Sequence, residues 1–298
     1  MLEHLCFLLT ILVSLVQQLM YASAQETNTV ILDFVGDISF DGPVLYQDKH
    51  GYCSYNKTFE KVARYLCQSD LAIGNLEAPF IREDMENEEQ ITFHPRLRAY
   101  SNSSQSLRYA GFDIMGLNNN HLNDFKDKPV NYTIRVLKEV GIKAFGYTFG
   151  KLEEKRPQEP LIVNVKGITI GFLGYCDVFF VDENQLGRFF YTCVSRRGNL
   201  TAGPAVYSDE TVTKDVKNLK EKADVLVVAM HWGKEGQSYP NEIQLRHLLF
   251  LRDLGVHLVI GSHPHVLQGH YVHKSFFTAF SLGNFVFGPS GYDLQMLC

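Results

Sequence analysis

Residues 256–265 read "VHLVIGSHPH". An apolar, β-branched run gives way to glycine and serine, and two histidines follow, one on each side of Pro264. A short apolar run bounded by turn residues reads as a buried strand that ends in a loop. The design recurs in "TVILDFVGD" (29–37), "LAIGNLE" (71–77), "FDIMGLNNNH" (112–121) and "DVLVVAMHWG" (224–233). "IKAFGY" (142–147), "ITIGFLGY" (168–175) and "FTAFSLGNFVF" (277–287) read as further strands. Helical spacing appears between them. In 56–69 it links Phe59, Val62, Ala63 and Leu66; 128–141 ends on Gly141 as a C-cap; 208–223 opens on a Ser/Asp cap; and 241–254 is a fourth helix. Strands alternating with helices predict an α/β architecture with a largely parallel or mixed sheet. Asp37, Glu77, Asn120, His231, His263 and His265 each follow an apolar strand. The carboxyl ends of strands are where open α/β sheets bind ligands.

The chain has 298 residues, 45% hydrophobic and 20% charged, enough for one large core or two small ones. A net charge of −5 and a pI near 6.1 exclude a basic nucleic-acid surface. "REDMENEE" (82–89) reads as a solvated loop, and 182–204 as a long surface loop. The apolar stretch over 5–20 followed by "ASA" at 22–24 predicts a signal peptide over 1–24, cleaved before Gln25, with a signal anchor as the alternative. The remainder, 25–298, is expected to form a single domain, secreted and without a later membrane span. Sequons at Asn56, Asn102, Asn131 and Asn199 agree with a secreted glycoprotein. Secretion permits disulfides, and we expect Cys53–Cys67 and Cys176–Cys193.

Any one of these polar residues has an ordinary structural explanation; His94, His247, His257, His270 and His273 are read that way. The joint set is different. Imidazole nitrogens combined with carboxylate and amide oxygens suit a divalent Mn, Fe or Zn ion better than Mg or Ca. His263 and His265 offer two imidazoles and His231 a third, Asp37 and Glu77 balance the charge, and Asn120 supplies an amide oxygen. His121 and Asp124 read as a catalytic acid with its orienting carboxylate.

The ordered motifs "VGDISFDG" (35–42), "GNLEAPF" (74–80), "NNNHLNDF" (118–125), "HWGKEGQSYP" (231–240), "GSHPHVLQG" (261–269) and "FSLGNFVF" (280–287) resemble the CapA family of poly-γ-glutamate capsule biosynthesis proteins, over roughly 29–288. That family in turn resembles the calcineurin-like metallophosphoesterases. The resemblance implies a two-sheet sandwich flanked by helices, in four α/β/β/α layers. It implies Asp37, Glu77, Asn120, His231, His263 and His265 as metal ligands, with His121 and Asp124 catalytic. Ser39, Asn75, Glu235 and Asn284 fall in the same motifs and are expected to bind substrate or shape the site. Ser39 stands where metallophosphoesterases carry a histidine ligand, so one or two ions are expected. The chain stops soon after "SLGNF", where such domains usually continue, which predicts a form lacking its last C-terminal strands. The implied function is a metal-dependent hydrolase or transferase in poly-γ-glutamate synthesis or processing. The alternatives are a non-catalytic polymer-binding or assembly protein and a phosphoesterase acting on a small phosphoester.

Overall fold

The computed structural model describes residues 29–87, 96–150, 157–181, 189–193 and 200–288. The expected signal segment, the sequon at Asn199, His94 and Cys298 lie outside the described residues. Two sheets face each other. The first contains β1 (Leu32–Ile38), β2 (Leu71–Leu76), β3 (Ile114–Gly116), β4 (Lys143–Phe145) and β11 (Asn284–Val286), in the order β11-β1-β2-β3-β4, all parallel. The second contains β5 (Leu161–Val165), β6 (Ile168–Asp177), β7 (Val225–Trp232), β8 (Leu258–Ser262), β9 (His270–His273) and β10 (Phe276–Ala279), in the order β9-β10-β8-β7-β6-β5. Its centre is parallel, and the pairs β9/β10 and β5/β6 at its edges are antiparallel.

Strand alternation builds the layers. Ile73, Ile114 and Phe145 of the first sheet meet Ile170, Phe172 and Val227 of the second in one core, where the Phe145 and Phe172 rings lie 5.6 Å apart. Each such side chain contributes about 1.5–3 kcal/mol by leaving water. The outward residues meet helices. Ala72, Leu76 and Met115 lie under α1 (Ser104–Ala110) and α2 (Lys128–Glu139), through Leu107, Val130 and Leu137. Leu226, Val228 and Met230 lie under α3 (Asp209–Lys220) and α4 (Glu242–Asp253), through Val212, Leu219 and Leu251. Ser208 caps α3 by accepting from the Thr211 amide, and Asn241 with Gln244 forms a capping box on α4. The result is the four-layer α/β/β/α sandwich.

Several elements differ from the sequence reading. The helix expected over 56–69 is two short ones, Tyr55–Phe59 and Ala63–Leu66. An i→i+3 bond from the Val62 amide to the Phe59 carbonyl tightens the chain there, and Phe59 sits edge-on to both Phe40 and Phe112. Tertiary packing outweighs helical periodicity at this point. The stretch 277–287 is not one strand: β10 belongs to the second sheet and β11 to the first. Between them Gly283, at φ +64°, turns the chain across the gap. Part of the loop expected over 182–204 pairs as strand: Phe189–Thr192 with Phe179–Val181, and Ala202–Pro204 with Tyr147–Phe149. Cys176 and Cys193 are joined, with Cα atoms 5.7 Å apart. The expected Cys53–Cys67 bond is not formed. The two short helices turn Cys67 toward the Ala110 carbonyl and against Gly111, and it remains a free, exposed thiol. Cys53 is disulfide-bonded.

Candidate metal centre

The inward-facing rows of both sheets are apolar until their carboxyl ends, where polar residues take over. Phe34 in β1 faces the shared core. Strict alternation would next bring residues 36 and 38 to that face. The register shifts between Phe34 and Asp37 instead, so that Asp37 lines up with Asn75 of β2 and Asn284 of β11. His231 in β7 lines up with Ser262 of β8. His263 and His265 follow β8 with φ of +96° and +58°, a region that side-chain-bearing residues rarely occupy. Such strain persists where the surroundings over-determine it, which is typical of functional sites.

These elements bring the ligand set together. Asp37, Glu77 and His231 form one group whose ligand atoms all lie within 4.8 Å of one another; Glu77, His263 and His265 form a second on the same criterion. Asn120 Oδ1 lies 2.7 Å from His231 Nε2, and the other ring nitrogen of His231 is 2.8 Å from Ser262 Oγ. His265 Nδ1 is 2.8 Å from Asn284 Oδ1 and 3.3 Å from Asp37 Oδ2. Asn75 donates to Asp37 Oδ1 at 2.8 Å, and its amide nitrogen is 3.4 Å from both Glu77 Oε2 and His231 Nδ1. His121 Nδ1 is 2.7 Å from Asp124 Oδ2, while its Nε2 is 4.0 Å from Glu77 Oε1.

The electrostatics are those of a site built around positive charge. Burial, then the Asp37 carboxylate, push Glu77 well above the ordinary carboxylate range. Burial, then the neighbouring His263, push His231 well below the ordinary imidazole range. Burial works against charge on His265, but Asp37 and Asn284 outweigh it and raise its pKa. Burial, then His265, lower His121 to about 3. Glu77 Oε1 is the decisive atom. It is buried without a hydrogen-bond donor, yet lies 3.5 Å from His231 Nε2 and 3.7 Å from His265 Nε2. Leaving such an acceptor unsatisfied costs about 1–3 kcal/mol or more. A divalent cation satisfies it and balances the two carboxylates, and the mixed N/O donors suit Mn, Fe or Zn. The residues therefore fit a metal ion.

Other expected residues take different places. Ser39 is buried, but its Oγ accepts from the Asp41 amide at 3.3 Å and it belongs to neither ligand group. Glu235 also lies outside both groups, on the wall of an adjoining cavity with His263. Burial raises its carboxyl pKa, with His265 opposing. Two neighbours of Asn120 escaped the sequence reading. Asn118 donates to the Tyr175 and Ala229 carbonyls of the second sheet. Asn119 donates to Asn75 Oδ1 and to the Leu76 carbonyl. Three successive asparagines thus fix the loop to the opposite sheet, to β2 and to His231.

A four-layer sandwich that gathers N/O donors at the strand ends of both sheets is a metallophosphoesterase-like fold. Solved structures agree on the fold. A hypothetical protein from Thermus thermophilus aligns with TM-score 0.50 at 16% identity, covering 85% of this chain and 75% of that one. A phosphatase from Mycoplasma pneumoniae aligns with TM-score 0.51 at 13% identity, covering 85% and 72%. Within that class, the profile of the bacterial capsule synthesis protein PGA_cap matches residues 31–289, and the chain belongs to this family. It is 30% identical over 264 residues to the capsule biosynthesis protein CapA of Bacillus anthracis, covering 88% of this chain and 61% of that protein's length. It is 27% identical over 296 residues to the PGA biosynthesis protein CapA of Bacillus subtilis (strain 168), covering 96% and 72%.

Proposed function

We propose that this protein is a metal-dependent hydrolase or transferase that acts in the synthesis or processing of a poly-γ-glutamate-type polymer outside the cell. The observation that carries the reading is a proton-transfer pair beside the ligand set: His121, held by Asp124, with Nε2 4.0 Å from Glu77 Oε1. Asp37, Glu77, Asn120, His231, His263 and His265 would hold one or two ions. A divalent ion here supplies Lewis acidity and lowers the pKa of water. The protein's own part is proton handling and orientation. Asp124 accepts from Nδ1–H of a neutral His121, which leaves Nε2 as the acceptor on the side of the cluster. His121 would take up a proton there and pass it to the leaving group.

The family and the names of its relatives support a glutamyl polymer as substrate, and the likeness to a phosphatase supports a phosphoester as the second reading. Extracellular placement is supported by three exposed sequon asparagines, Asn56, Asn102 and Asn131, and by the Cys176–Cys193 bond. Among the described residues, no helix is long and apolar enough to cross a membrane. The deciding experiment is a turnover screen on γ-glutamyl oligomers and phosphomonoesters, with added Mn, Fe or Zn and with chelator. Turnover that chelation abolishes and metal restores is expected. Metal-dependent binding of the polymer with no turnover would instead establish an assembly role.

A further inference from the structure

A cavity of about 680 Å³ opens beside the ligand set. That size is ordinary for a small-molecule site. His263 belongs both to the ligand set and to the cavity wall, so the cavity reaches the metal position directly. The lining also includes α4, which contributes Ile243, Arg246 and His247. Arg246 forms no ion pair with a carboxylate among the described residues. Its Nη2 lies 3.1 Å from His247 Nε2. His247 is buried, its Nδ1 is 3.1 Å from Asp177 Oδ2, and the Tyr207 ring stacks on it at 4.0 Å. Tyr207 in turn donates to Asp209.

This chain has a chemical reading. Nε2 of His247 faces the guanidinium, and its lone pair accepts from Arg246 Nη2. The guanidinium is therefore held on one side by the His247 ring, and its remaining N–H groups and its charge are left for whatever enters the cavity it lines. A net charge of −5 gives the molecule no general attraction for an anion, so a local cation is what an acidic substrate needs. Val178, Ile243 and the Tyr207 ring supply apolar surface suited to methylene spacers.

We propose that this cavity is the substrate cleft, and that Arg246 is a specificity-determining residue that takes a carboxylate of an acidic oligomer laid from α4 toward His263. The assignment rests on the reading of the metal centre as the reacting end. A phosphate group offers the same anion chemistry, and the test separates the two sources. Metal-loaded protein is titrated calorimetrically with a γ-glutamyl oligomer, its neutral fully amidated counterpart and a phosphomonoester, for wild type, Arg246→Ala and Arg246→Lys. The expected result is oligomer binding weakened about 10- to 100-fold in Arg246→Ala, as for loss of a charge-assisted hydrogen bond. Binding of the neutral counterpart should be unchanged. Arg246→Lys should recover only part of the loss, because lysine keeps the charge without the planar fork. The proposal is overturned if wild type does not prefer the acidic oligomer, if Arg246→Ala binds it as wild type does, or if only the phosphomonoester is affected. Binding is read without turnover, so an Arg246-dependent oligomer site in a protein that turns nothing over would retire the hydrolase reading and leave this one standing.

Discussion

At the residue scale, the pair His121–Asp124 separates catalysis from binding. His121 belongs to neither metal-ligand group, and its Nε2 stands 4.0 Å from Glu77 Oε1. His121→Ala should therefore keep metal and fold while turnover falls by roughly two to four orders of magnitude. Asp124→Asn should fall less, because the amide can still hold the ring, with the wrong charge behind it. Steady-state rates with metal content of each variant decide; full metal with an unchanged rate would remove the proton-transfer role. These residues were legible because each polar group follows an apolar strand. Ser262, which holds the far side of the His231 ring, was passed over as a turn residue before the histidines, although its place at the end of β8 is a sequence signal. The partners of Arg246 were not legible: Asp177, Tyr207 and His247 lie on three elements that only the folded chain brings together.

At the element scale, α3 carries an acid on its buried face. Asp215 accepts from the Tyr175 hydroxyl at 2.8 Å, and burial, against that bond, raises its pKa to about 6. An unfolded aspartate titrates near ~3.9. As pH rises from about 4 to about 6 the unfolded chain releases this proton while the folded one still holds it, so stability falls across that window and levels off above it. Asp215→Asn removes the buried charge and keeps an oxygen for Tyr175. It should raise the melting temperature by a few degrees at pH 7.5 and lose that gain by pH 4; a thermal series over pH measures both. An equal gain at both ends would mean that the charge is not the cause. Helices with caps and a single apolar stripe, such as α3 and α4, were readable from 3.6-residue spacing. The break at Phe59, the Cys67 thiol and the split of 277–287 depend on contacts remote in sequence, which local pattern does not carry.

At the scale of the whole molecule, the ligand set is divided. Asp37, Glu77 and Asn120 come from strands and loops of the first sheet, and His231, His263 and His265 from the second. A bound ion thus closes one sheet onto the other, and its binding free energy adds to that of folding. At a free metal concentration 100-fold above Kd the gain is about 2.7 kcal/mol, or a rise of about 5–10 °C in Tm. His263→Ala should abolish that increment and His273→Ala, on the edge strand β9, should keep it; equal loss in both would place the ion elsewhere. The segment between β10 and β11 sets the spacing that such an ion must match. The Leu282 amide donates to the Gly261 carbonyl and the Asp37 amide to the Gly283 carbonyl. A methyl group at Gly36 would stand 1.8 Å from the Gly283 carbonyl oxygen, and one at Gly261 would stand 1.9 Å from that of Phe280. Two glycines with no polar side chain therefore act as the calibration of the site. A single carbon added at either would detune its affinity for the ion as surely as deleting a histidine, from a position that never touches the ion.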